Sequence, residues 1–162
     1  MTSSNELRRY LTVAIVAVFL SWPSAVRAQG VFAGSWTVVK AEDAPWLAGR
    51  SDLTPSYEPK LQHAKFVFRA DRLEAPIWIA CRHPQYQLSM VGPESLFEGG
   101  LDDAEHGLTD PKGLAAKLGF KGDQIPTLEG ACSEVAYHLA DPDTILFGLN
   151  NVIYTLKRDA AK

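Results

Sequence analysis

Residues 132–158 read CSEVAYHLADPDTILFGLNNVIYTLKR, and this stretch decides the fold. Three runs in it place apolar side chains at every second position: Val135, Tyr137 and Leu139; Ile145, Phe147 and Leu149; Val152, Tyr154 and Leu156. A period of two is the side-chain repeat of a strand with one buried face. The runs are separated by Asp141-Pro142-Asp143 and by Asn150-Asn151. Both separators are built from turn-favouring residues, and Asn tolerates the positive φ that a two-residue hairpin loop demands. The stretch predicts an antiparallel three-strand meander around which the rest of the chain closes a β-structure.

Upstream the same alternation recurs in shorter pieces. Val31 to Val39 reads as a first strand with Trp36 and Val38 on one face. Ala64 to Arg69 is a second, with Phe66 and Phe68 facing one way. Arg72 to Glu74 is a short third, and Ile77 to Cys81 a mostly apolar fourth. Gln85 to Val91 alternates Tyr86, Leu88 and Met90 against polar neighbours, the pattern of a sheet with one wet face. Gln124 to Gly130 is expected at a sheet edge, because Pro126 lacks a donor. One helix is expected after Asp110, a good N-cap followed by Pro111, with Leu114 and Leu118 on one face and Gly119 as terminator. Lys40 to Pro59 holds Pro45, Pro55 and Pro59 and reads as a long irregular connection in which Trp46 and Leu47 need cover. The expected fold is mainly β: a single antiparallel up-and-down barrel, or a strongly curved sheet, of seven or eight strands with one short helix. Closure into a barrel would remove the sheet edges.

Residues 1–28 read as a cleaved export signal, with Arg8-Arg9, an apolar run from Leu11 to Leu20 and Val26-Arg27-Ala28 before the cut. That run is half the roughly twenty residues a transmembrane helix needs, so stable membrane insertion is not expected. An uncleaved anchor is the rival reading, and Arg8-Arg9-Tyr10-Leu11 also looks like a twin-arginine signal. The expected domain spans residues 29–162. Losing Arg8, Arg9, Arg27 and Glu6 moves the formal charge from −3 to −5. No basic stripe remains, which argues against nucleic acid, and the acidic excess argues against an anionic membrane surface.

Two cysteines, Cys81 and Cys132, remain in the domain. In an oxidising compartment an even count points to one disulfide, worth roughly 4 kcal/mol for a loop of this length. A free thiol pair or a metal pair are the alternatives.

The residue patterns of common chemistries are missing. No Gly-x-Ser-x-Gly elbow, Cys-x-x-Cys pair, His-x-x-x-His pair or phosphate-cradling glycine loop occurs. His63, His83, His106 and His138 are scattered. The group Asp102, Asp103, Glu105, His106 and Asp110 does not match the spacing of a calcium loop and reads as a solvated loop ending in an N-cap. These observations imply no metal and no cofactor.

Gly34-Ser35-Trp36 resembles the Gly-x-Trp of the first strand in the calycins, the group of lipocalins and similar small up-and-down barrels. The last strand ends in Lys157-Arg158, and in that group a basic residue there packs across the Trp. The resemblance implies that Arg158 stacks on Trp36 and closes the barrel bottom, a contact worth about 0.5–2 kcal/mol. It covers two short motifs at the ends of the domain. Two departures stand beside it: the helix at Leu114 lies mid-chain, where a lipocalin has a hairpin, and the lipocalin helix before the last strand is missing. The same group includes small periplasmic barrels that inhibit proteases.

The leading functional expectation is a non-enzymatic binding module, periplasmic or secreted. It would engage a protein through Trp46, Leu47 and the barrel rim, with inhibition as one candidate role. The alternative is a carrier of a small apolar ligand, with Phe66, Phe68, Trp78 and Tyr137 lining a pocket. The same aromatics would otherwise fill a closed core.

Overall fold

A computed structural model describes residues 30–130 and 132–160, apart from the side chain of Ile77. The expected export segment at residues 1–28 lies outside the described residues.

Among the described residues the chain forms nine strands: β1 (Gly34–Asp43), β2 (Lys65–Phe68), β3 (Arg72–Glu74), β4 (Cys81–Arg82), β5 (Tyr86–Val91), β6 (Ile125–Gly130), β7 (Ala136–Asp141), β8 (Thr144–Leu149) and β9 (Val152–Arg158). They make one curled sheet in the order β4-β3-β2-β1-β9-β8-β7-β6-β5, with every neighbour antiparallel. One short helix, α1 (Pro111–Lys117), is capped by the Asp110 carboxylate, which accepts from the Gly113 amide at 2.8 Å.

The expectation of seven or eight strands and of a closed barrel is corrected: there are nine, and the sheet is open between β4 and β5. Direction explains why the sheet stays open. With nine strands and antiparallel neighbours throughout, the first and last in the order run the same way. β4 and β5 are therefore successive parts of one line of chain, bent at His83 (φ 55°). The first part pairs with β3 and the second with β6. A parallel pairing between them would need a crossover of a dozen residues, and only His83, Pro84 and Gln85 are present. Cys81 at the end of this seam and Cys132 just past β6 lie within disulfide range, their Cα atoms 5.8 Å apart.

Three further expectations change. β1 begins at Gly34 and continues to Asp43, because Lys40 to Asp43 pair with Val152 to Thr155 beyond a bulge at Val39. Ile77 to Ile79 form a 3-10 turn, leaving only Cys81–Arg82 as strand. β6 is an interior strand between β5 and β7. Pro126 is tolerated because the β7 ladder begins at Thr127, one residue beyond it.

The sheet buries apolar side chains on two sides. The concave side holds Trp36, Phe66, Tyr137, Phe147, Tyr154 and Leu156. Phe66, Tyr137 and Phe147 meet with centroids 5.6–6.3 Å apart, and Phe68 meets Tyr137 at 5.0 Å. The convex side of β6–β9 is dry as well. Residues 93–120 fold over it and bury Leu96, Phe97, Leu101, Ala115 and Phe120 against Ile125, Leu146 and Ile153. β8 is consequently buried on both faces over its first four residues.

At one end Trp36 is fully buried and donates from Nε1 to the Phe32 carbonyl at 2.8 Å. The Arg158 guanidinium lies 4.0 Å from the Trp36 ring centroid. Its nitrogens also donate to the carbonyls of Val31, Ala33 and Pro142.

Candidate functional site

The layer over the convex face stops short of covering it. What remains is a cleft of about 790 Å³, bounded by Trp46, Phe97, the 133–136 turn and the β8–β9 turn.

Trp46 forms one wall. It sits in a 3-10 turn, Pro45–Leu47, and is fixed from three directions. Its Nε1 donates to Asn151 Oδ1 at 3.0 Å, its ring lies 5.8 Å from that of Phe97, and its six-membered ring packs over Gly100. A Cβ on Gly100 would come within 2.8 Å of the indole, so only glycine admits this approach. Asn151 owes its position to the two-residue turn at Asn150-Asn151, where both residues have positive φ (51° and 62°). Its Nδ2 also donates to the Thr54 carbonyl, and its own carbonyl accepts from Ala44. The β8–β9 turn thus pins the long proline-containing connection. Leu47 is half-buried beside Trp46.

Phe97 and His138 build the floor. Phe97 and Glu98 are successive non-glycine residues in the left-handed region, at φ 52° and 60°. Each costs about 1–2 kcal/mol relative to ordinary backbone. The cost is offset locally: the Phe97 ring is buried against Trp46, Phe120 and His138, and its amide donates to His138 Nε2 at 3.2 Å. Accepting there leaves the proton on Nδ1, which donates to Thr127 Oγ1 at 2.8 Å. Desolvation by burial pushes the His138 pKa down from 6.5 to about 4. The imidazole is therefore neutral at physiological pH and serves as an acceptor for the backbone. The strained step turns Glu98 to the cleft, where it belongs to the lining.

The rim is charged. Arg50 is held between Asp52 (2.7 Å) and Asp103 (3.5 Å), and Asp103 also meets His106 Nδ1 at 2.7 Å. Among the described residues, Glu98, Asp102 and Glu134 line the cleft without any ion pair or hydrogen bond from their side chains.

The residues singled out from sequence are distributed as follows. Trp46 lines the cleft. Trp78 also lines it and is 56% exposed. Phe66, Phe68 and Tyr137 come together, but in the packed concave core, and do not border this cleft. Of the acidic loop, Asp110 is spent on capping α1, and Asp103 on the His106 amide and on Arg50. Among the described residues no three metal-ligating side chains converge. Phe97, Glu98, Arg50 and Asn151 were not singled out as site residues from sequence. The turn residues at Asn150-Asn151 were visible, but not the tryptophan they hold.

Comparison with protein-family models, curated proteins and solved structures gives no match. The chain is described by its geometry: a curled antiparallel half-barrel with one short helix and a cleft on its convex side.

Proposed function

We propose that this chain is an exported, non-enzymatic binding module that receives a segment of a partner protein in the cleft beside Trp46. The observation that carries the reading is a preformed cleft of about 790 Å³ whose aromatic wall is fixed in place by Asn151, Phe97 and Gly100. Aromatic side chains held rigid lose little entropy on binding and serve as anchors in interfaces. Protease inhibition is one role for such a module, on the strength of the likeness to small exported inhibitor barrels. Export accords with the paired cysteines.

The test is photocrosslinking in cells that make the protein, with a photoreactive residue placed at Ser133 on the cleft or at Lys112 on α1 as a control. A discrete crosslinked partner from Ser133, lost in Trp46→Ala and not seen from Lys112, is the expected result. Crosslinks that ignore Trp46→Ala, or that arise equally from Lys112, would refute the reading. Circular dichroism and thermal unfolding of Trp46→Ala separate loss of binding from loss of fold.

One observation favours the carrier alternative. A second cleft of about 320 Å³ is bordered by Val38, Val39, Tyr57, Pro59 and Tyr154, and Val39 and Tyr57 are half-exposed there. A small apolar ligand of lipocalin type would lodge in this groove rather than among Phe66, Phe68 and Tyr137. Titration with a fluorescent apolar probe, with and without Tyr57→Ala, tests it. No Tyr57-dependent signal removes the carrier reading.

A further inference from the structure

The cleft beside Trp46 does not end at the 133–136 turn. A neighbouring cleft of about 380 Å³ shares Glu98, Ser133, Glu134, Val135 and Ala136 with it and runs on past Glu129 to Gln85 and Gln87. The two form one elongated groove. Glu129 pairs with Ala136 on β7 and with Gln87 on β5, so the far end crosses the sheet face and runs out to β5, which among the described residues is an edge strand. A groove that runs out to an open strand edge suits an extended polypeptide.

Its charge is one-sided. Glu98, Asp102, Glu129 and Glu134 line the joined groove, and among the described residues none of them makes an ion pair. The lining's cation, Arg50, is already neutralised by Asp52 and Asp103. Trp46, Trp78 and Phe97 line the same cleft as Glu98, Asp102 and Glu134. A cleft lined by indole rings and carboxylates is the environment a guanidinium or ammonium group prefers, since the ring quadrupole and the full charges attract it together.

We infer that the occupant of this groove is an extended, basic polypeptide segment, with Arg or Lys side chains seated among Trp46, Trp78, Glu98 and Glu134. This inference rests on the binding-module reading and names the chemistry of its partner. The Phe97–Glu98 backbone step then has a use: it presents a carboxylate at the point where the two clefts meet. Binding weakens with salt, because exposed carboxylates act through screened charge.

The experiment is selection of a displayed random heptapeptide library on the full chain with its disulfide intact, followed by titration of the selected peptides. Lys- and Arg-rich peptides are expected, with affinity at least tenfold weaker for the Glu98→Gln/Glu134→Gln double variant. Glu105→Gln, outside the groove, should bind as the parent does. Matching thermal unfolding curves show that the double variant is folded. Acidic or neutral peptides selected in a Trp46-dependent manner overturn this inference while the binding-module reading stands. Basic peptides held equally well by the double variant also overturn it. Selection of no peptide at all counts against both.

Discussion

The Phe97 amide donates to His138 Nε2 across 3.2 Å, and through this bond a buried imidazole holds a strained backbone step in place. Only the neutral ring can accept it. On the other side of the ring, Nδ1 meets the Thr127 hydroxyl.

Acid should therefore destabilise the fold before the carboxylates titrate. Below pH 6.5 the unfolded chain takes up a proton that folded His138 refuses until about pH 4. Its effect is nil above about pH 6.5, and stability falls between pH 6.5 and 4, by about 3 kcal/mol in all. Asp159, whose pKa is lowered by hydrogen bonds from Thr37 and Ser35, acts in a lower window: its contribution is lost as pH drops below the ordinary carboxylate value of 3.8. Urea unfolding across this range reads the slope. His138→Gln should flatten the curve between pH 6.5 and 4; an equally steep curve in the variant would exclude His138 as the cause.

Trp36→Ala should cost about 3–5 kcal/mol, since the indole is fully buried and its Nε1 is bonded. Arg158→Ala should cost less but more than an exposed ion pair does, because the guanidinium also ties down the Val31, Ala33 and Pro142 carbonyls. A loss below about 1 kcal/mol for Trp36→Ala would contradict its place in the core.

Opening the Cys81–Cys132 link, by Cys132→Ser or by reduction, should lower stability by roughly 4 kcal/mol. The link ties β4 to the turn beyond β6, across the open seam. Intact-mass measurement without reductant should find the oxidised chain about 2 Da lighter than the reduced one. Equal masses would mean free thiols.

Gly100→Ala and Gly148→Ala form a discriminating pair. A methyl on Gly100 meets the Trp46 ring at 2.8 Å and must displace it, at a cost of about 1–3 kcal/mol. The same methyl on Gly148 finds Phe97 at 3.4 Å and Trp46 at 3.6 Å, an ordinary contact, and should cost under about 1 kcal/mol. Tryptophan emission should shift in the Gly100 variant only. Equal behaviour of the two variants would show that Trp46 is not clamped as described.

Several site features were written in residues that local reading interprets for other reasons. Leu146 and Ile153 occupy the positions that a one-sided alternation leaves for solvent, and their apolar character was the available sign of a covered convex face. Glu98 gave no sign, because left-handed backbone at a glutamate follows from what surrounds Phe97 rather than from local preference. His138 was visible as one of four scattered imidazoles, but its acceptor role exists only once residues 93–100 lie over β7.

Local physics was sufficient for the meander. Alternation of apolar side chains and the chemistry of Pro142-Asp143 and Asn150-Asn151 act within a few residues, so β7, β8 and β9 were legible from residues 132–158 alone. The same holds for the cap of α1 at Asp110. Tertiary structure decided the rest. Whether the sheet closes depended on strand direction around the whole ring, which the bend at His83 settles. Whether Phe66, Phe68 and Tyr137 line a cavity or fill it depended on the volume left between curled strands. The cleft exists because residues 93–120 cover part of a face whose extent no local pattern specifies.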